Sequence, residues 1–116
     1  MKLIKSFRYA CQGIMAATRE QLNIKIHLCA VVLVTVAGWY YAITPWEWCW
    51  VVVCFGMVLS AELANSAIEN LVDLVSPGHH PLAGKVKDIA AGAVLVTAVA
   101  AVIIAVIIFK KYITGL

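Results

Sequence analysis

The chain has 116 residues, 64 % of them hydrophobic, with a formal net charge of +3 and a mean hydropathy of +0.95. Soluble domains are about 45 to 50 % apolar, so this composition excludes an ordinary soluble fold and indicates one integral membrane domain spanning residues 1–116. Cys11, Cys29, Cys49 and Cys54 have no C-x-x-C spacing and read as small core hydrophobes rather than as a redox or metal centre.

The segment up to Lys25 carries Lys2, Lys5, Arg8 and Arg19 but lacks the apolar core and small-residue cleavage site of a secretory leader, so it reads as mature sequence. Ile4, Phe7, Cys11, Ile14, Met15, Thr18 and Leu22 recur there at spacings of three and four. This pattern predicts an amphipathic helix from about Lys2 to Asn23, lying in the membrane surface with its positive charge drawn to anionic lipid. A first span follows from about Lys25 to Ile43, built on the uncharged run Leu28 to Trp46; about 20 apolar residues cross a ~30 Å hydrocarbon core. A tight turn at Thr44-Pro45 leads into a longer helix from about Trp46 to Val75, which Ser76-Pro77-Gly78 ends because proline and glycine do not continue it. His79 to Gly84, with Pro81, reads as a short loop. The third span runs from near Lys85 to near Tyr112 around the uncharged run Ile89 to Phe109. The expected architecture is all-α: three transmembrane helices plus an amino-terminal surface helix.

Positive charge in short loops marks the cytoplasmic side. It places the amino-terminal segment and the loop with Lys85 and Lys87 inside, and the connection around Pro45 and Glu47 outside. Lys110 and Lys111 then fall outside against the rule, outweighed by the charge of the first segment. Trp39, Tyr40, Tyr41, Trp46, Trp48 and Trp50 gather near the outer connection, where amphipathic rings settle at headgroup level.

The middle span carries Glu62, Asn65, Glu69 and Asp73. Offsets of three, seven and eleven positions return each side chain to within roughly 60° of Glu62, so the four form one wall of one helix. A carboxylate in the bilayer costs about 2.5 to 3.5 kcal/mol even on the lenient insertion scale, so this wall implies a cationic ligand. Counted from Pro45, Glu62 is ~25 Å and Asp73 ~42 Å along the axis, which takes the wall from the inner leaflet into the cytoplasm. Lys87 and Asp88 stand at the same end of the third span, followed by Ala90, Ala91, Gly92 and Ala93. Such small residues let membrane helices approach closely and would bring Lys87 to the acidic wall. Carboxylates that hold Mg²⁺, with a lysine that neutralises a polyphosphate, suit phosphoryl transfer.

Other readings of the same residues are simpler. An intramembrane glutamate also occurs in proton and cation pathways, which makes a small transporter or channel subunit the competing class. A conductor needs polar groups on both sides of the barrier, and the outer half of each span is nearly free of them. Lys85 and Lys87 serve equally as cytoplasmic anchors, and the adjacent His79 and His80 are a weak metal signal. Asp73 near a helix C-terminus opposes the macrodipole and calls for a cationic partner.

The runs E-L-A-N-S-A-I-E-N-L-V-D (Glu62 to Asp73), G-K-V-K-D-I-A-A-G-A-V-L (Gly84 to Leu95) and K-S-F-R-Y-A-C-Q-G-I near the amino terminus resemble the small prokaryotic integral-membrane lipid kinases, the diacylglycerol and undecaprenol kinase family. The likeness covers nearly the whole chain. N-I-K-I-H (Asn23 to His27) and H-P-L-A (His80 to Ala83) are closer to the undecaprenol kinase branch. The resemblance implies an ATP-dependent lipid kinase, with undecaprenol ahead of diacylglycerol as acceptor, Mg²⁺ as cofactor and no nucleic-acid partner. It implies a homotrimer with shared active sites at the cytoplasmic face of a bacterial inner membrane. It makes Glu62 the general base, Glu69 a metal ligand, and Asn65 and Asp73 residues that shape the substrate site. Tyr9, Gln21, Gly78, His79, His80, Lys87 and Asp88 match positions that contact nucleotide, Glu69 lying beside them. One departure concerns the second metal-binding glutamate of the family, where this chain has Gln21; Glu20, one position and ~100° of helix rotation away, is the candidate metal ligand there, a role that requires the helix to shift or unwind locally. The family has no Walker A loop, and neither does this chain.

Overall fold

A computed structural model describes residues 1–115. They form four helices, α1 (Lys2–Glu20), α2 (Leu22–Tyr40), α3 (Pro45–Val75) and α4 (Pro81–Thr114), with no strand among the described residues. Helices α2, α3 and α4 are long and apolar enough to cross a membrane, so the expected all-helical, three-span architecture is the one observed. The longest dimension, 54 Å, is close to the ~51 Å of the 34-residue α4.

Three boundaries differ from the sequence expectation. The surface helix ends at Glu20 rather than Asn23, because Gln21 is extended (φ −112°, ψ 116°) and α2 starts at Leu22 rather than Lys25. No glycine or proline marks this break; the Gln21 side chain is instead turned toward α3, as described below.

The turn after α2 occupies Tyr41–Thr44, where Ala42 takes a left-handed conformation (φ 52°) that is unusual for a residue with a Cβ. Thr44 then caps α3. Its Oγ1 accepts from the Glu47 N–H at 3.2 Å while Glu47 Oε1 accepts from the Thr44 N–H at 2.9 Å, a reciprocal capping box with Pro45 in the first turn.

Finally, α4 begins at Pro81. The reading of His79 to Gly84 as a loop and of a start near Lys85 is corrected: His80 Nδ1 accepts from the Leu82 N–H at 3.1 Å, and Pro81 occupies a first-turn position where its missing N–H costs nothing. Gly115 (φ 74°) closes α4 in the left-handed conformation that glycine adopts freely.

Helices α3 and α4 form an antiparallel hairpin with the most extensive interface of the molecule; α2 packs on α3, and α1 touches α2 and α3. Of the small residues Ala90 to Ala93 only Ala90 is buried, and a Cβ on Gly92 would meet nothing within 4 Å, but the expected approach of Lys87 to the acidic wall is observed at Asp73. The apolar core lies near the Ala42 turn, where Ile43, Val51, Ile108 and Phe109 are buried among Tyr41, Trp48, Phe55 and Tyr112. Gly38 makes room for it: a Cβ there would sit 2.7 Å from Trp48 Cη2. The cysteine reading holds for Cys54, which is buried, and fails for Cys11, Cys29 and Cys49, which are exposed on the protomer.

Polar contacts join the hairpin at both ends. Glu47 accepts from the Tyr112 hydroxyl and lies 3.0 Å from Lys111 Nζ, so one of the two lysines that break the charge rule has a carboxylate partner. Lys87 pairs with Asp73 at the opposite end. The two carboxylates are ~39 Å apart along α3, somewhat more than a ~30 Å hydrocarbon core, so the ion pairs flank the apolar slab. Leu3, Ile4, Phe7, Ile14 and Met15 on α1 are exposed, as an apolar face that rests on lipid requires.

Candidate active site

The acidic wall of α3 changes character along its length. Glu62, Asn65 and Ser66 are buried, Glu62 to 2 % exposure, whereas Glu69 is half-buried and Asp73 exposed. Burial decreases because α2 covers the Glu62 end and stops before Asp73. His27 on α2 reaches Glu62, its Nε2 3.0 Å from Oε1. Toward the beginning of α2, Gln21 Nε2 donates to Glu69 Oε2 at 3.2 Å, and Asn65 Nδ2 lies 3.4 Å from Glu69 Oε1. Six positions from Gln21, the cap of α2, to His27 and seven along α3 separate the two cross-links, ~9 and ~10 Å of rise, so they are successive rungs between antiparallel helices.

Two polar atoms in this cluster, Asn65 Oδ1 and Ser66 Oγ, are buried without a hydrogen-bond partner. An unpartnered buried polar group costs about 1 to 3 kcal/mol, so their presence points to a ligand that completes them. Among the described residues no three His, Cys, Asp or Glu side chains converge. Mg²⁺ retains waters and takes one or two carboxylates together with substrate phosphates, and Glu69 beside the Asn65 and Ser66 oxygens fits that requirement.

A second cluster lies where α3 meets α4. Lys87 Nζ is 2.6 Å from Asp73 Oδ1, and both line an open cavity of about 240 Å³ with Ser76, Gly78, His79 and His80. An apolar groove of about 180 Å³ extends the other way, lined by Val31, Cys54, Val58, Leu59, Ala98 and Val102, with His27 in its wall. Tyr9 on α1, Glu20 at its end and Asp88 on α4 are exposed and form no hydrogen bond to either cluster. Helix α3 thus carries a buried carboxylate beside an apolar groove and, ~16 Å further on, Asp73, which meets the α4 cation Lys87 at an open cavity.

The pattern of the family described as prokaryotic diacylglycerol kinase matches residues 8–109, nearly the whole chain. The chain belongs to the prokaryotic diacylglycerol kinase family. It is 41 % identical over 108 residues to an undecaprenol kinase of Bacillus subtilis, covering 93 % of this chain and 88 % of that one. It is 40 % identical over 103 residues to a diacylglycerol kinase of Synechocystis sp., covering 88 % of this chain and 59 % of that one. A diacylglycerol kinase of Escherichia coli K12 is 29 % identical over 102 residues, with 88 % and 84 % covered. As a member of the family the chain is a multi-pass membrane lipid kinase, a phosphotransferase with an alcohol group as acceptor.

Three residues of this chain have contacts or burial that the sequence expectation does not assign to the site or fold. His27 borders an uncharged run, and only the packing of α2 on α3 shows that it meets Glu62. Ser66, one turn from Glu62, reads as a small helix residue until its burial is known. Glu47 appeared as a loop residue at the outer connection, although a Thr-Pro-x-Glu spacing is a sequence-level capping signal.

Proposed function

We propose that residues 1–116 form one lipid kinase domain that transfers the γ-phosphate of ATP to the hydroxyl of a membrane lipid, undecaprenol ahead of diacylglycerol. The observation that supports it best is the order of groups along α3: apolar groove, buried Glu62, half-buried Glu69, then the Lys87-Asp73 cavity. A lipid chain in the groove brings its hydroxyl to Glu62, and an extended nucleoside triphosphate reaches back from the cavity. The similarity to an undecaprenol kinase over most of both chains favours that alcohol.

In this reading Glu62 accepts the hydroxyl proton as the lipid oxygen forms its bond to the γ-phosphorus and the bond to the ADP oxygen breaks. Mg²⁺, when bound, neutralises phosphate charge. Glu69, with Asn65 and Ser66, would hold that ion, and Glu20 at the end of α1 is a second candidate ligand. Gln21 orients Glu69. Lys87 binds the phosphates and its partner Asp73 shapes the site, with Gly78, His79, His80, Tyr9 and Asp88 around the nucleotide. Most of the rate comes from positioning and charge neutralisation.

The basic amino-terminal segment and Lys85 with Lys87 favour a cytoplasmic site in a bacterial inner membrane. The family resemblance favours a homotrimer with shared active sites, whose neighbouring protomers would cover part of the α2 and α4 surface that one protomer leaves exposed. The test is an assay in mixed micelles with labelled ATP, Mg²⁺ and each lipid alcohol in turn. Labelled undecaprenyl phosphate formed faster than phosphatidate supports the full reading. The reverse ratio reassigns the substrate, and no labelled lipid from any alcohol removes ATP-dependent kinase activity.

A further inference from the structure

Glu62 has one polar partner among the described residues, His27, on a different helix. A carboxylate buried to 2 % exposure has two near-equivalent oxygens and a broad terminal torsion, so burial alone does not aim either oxygen. The contact removes that freedom. Nε2 faces a carboxylate oxygen and therefore carries the hydrogen; the bond engages Oε1 and leaves Oε2 as the oxygen with an open lone pair. His27 also lines the apolar groove, so the imidazole touches both the carboxylate and the path of the lipid chain.

We propose that His27 is the positioning residue of the catalytic carboxylate: its Nε2–H fixes Glu62 Oε1 and so presents Oε2 to the lipid hydroxyl at the end of the groove. The hydroxyl proton passes to Oε2, while His27 keeps its own proton and stays bonded to Oε1 throughout. The role is distinct from that of Gln21 and Asn65, which bond to Glu69. It rests on Glu62 acting as the base.

The experiment compares His27→Leu, His27→Gln, Glu62→Gln and the double variant His27→Leu/Glu62→Gln by steady-state lipid phosphorylation in micelles, with thermal unfolding of each. His27→Leu lowers kcat by about 10- to 100-fold, the value of a charged hydrogen bond expressed as a rate, and leaves KM for ATP within about twofold. His27→Gln, which keeps an N–H donor at similar reach, recovers most of the loss. The double variant is no slower than Glu62→Gln alone within about twofold, because His27 acts only through Glu62.

Wild-type kcat in His27→Leu, a loss that multiplies with that of Glu62→Gln, or a His27→Gln variant as inactive as His27→Leu at unchanged unfolding temperature overturns the assignment. If Glu62→Gln itself keeps wild-type kcat, the base reading fails and takes this one with it. An impaired Glu62→Gln beside an unimpaired His27→Leu removes the His27 role alone.

Discussion

Lys87 Nζ lies 2.6 Å from Asp73 Oδ1, joining the second turn of α4 to the last turn of α3 across the open cavity. The side chains are 37 % and 61 % exposed, and exposed ion pairs contribute about 0 to 1 kcal/mol, so stability does not account for this lysine. Lys87→Met should leave the unfolding temperature in micelles almost unchanged and raise KM for ATP about tenfold. An unchanged KM would separate Lys87 from nucleotide binding.

Glu62 and Glu69 share a wall but not an environment, since one meets an imidazole and the other two amides. Glu69→Gln should raise the Mg²⁺ concentration needed for half-maximal rate steeply. Glu62→Gln should mainly lower kcat, by about 10²- to 10⁴-fold. Metal titrations of the two variants that superimpose would undo the division of roles.

Gln21 places an amide donor 3.2 Å from Glu69 Oε2. A carboxylate at that position would face Glu69 directly, so Gln21→Glu should unfold more easily in chelator through like-charge repulsion and bind Mg²⁺ several-fold more tightly. Isothermal titration and thermal unfolding with and without Mg²⁺ measure both effects. Metal affinity that does not rise would show that the ion does not sit between these side chains.

Gly38 faces the Trp48 indole with no space for a methyl group. Gly38→Ala should destabilise the α2–α3 contact by about 1 to 3 kcal/mol through overpacking, and Trp48→Leu in the same chain should relieve part of that loss. Equilibrium unfolding in micelles gives both values, and additive losses would show that the two positions do not press on each other.

Much of the fold is written locally. The α3 stop at Ser76-Pro77-Gly78, the apolar runs and the acidic wall all follow from spacing and residue type. The missed features have no such local mark. The break at Gln21 lies in a stretch without glycine or proline, and the Gln21 side chain is directed at Glu69 on another helix. Pro81 signals an interruption equally well as a loop residue or a first helical residue, and histidine is not among the usual caps, so the role of His80 was obscured. The His27 contact to Glu62 depends on how α2 is placed against α3, information that no window along one helix contains.

The hairpin of α3 and α4 is tied at each extremity, by Glu47 with Lys111 and Tyr112 and by Asp73 with Lys87, and it is packed along the length between. Helix α2 has far less hold on it: an indole in a glycine notch near one margin and two side-chain rungs near the other. The hairpin therefore acts as a doorpost and α2 as the door. Of the helices that line the groove α2 is held least firmly, so its outward displacement is the least costly way to widen the groove for a broad lipid. Covalent cross-linking of α3 to α4 should then leave turnover intact, whereas stapling α2 to α3 should stop it.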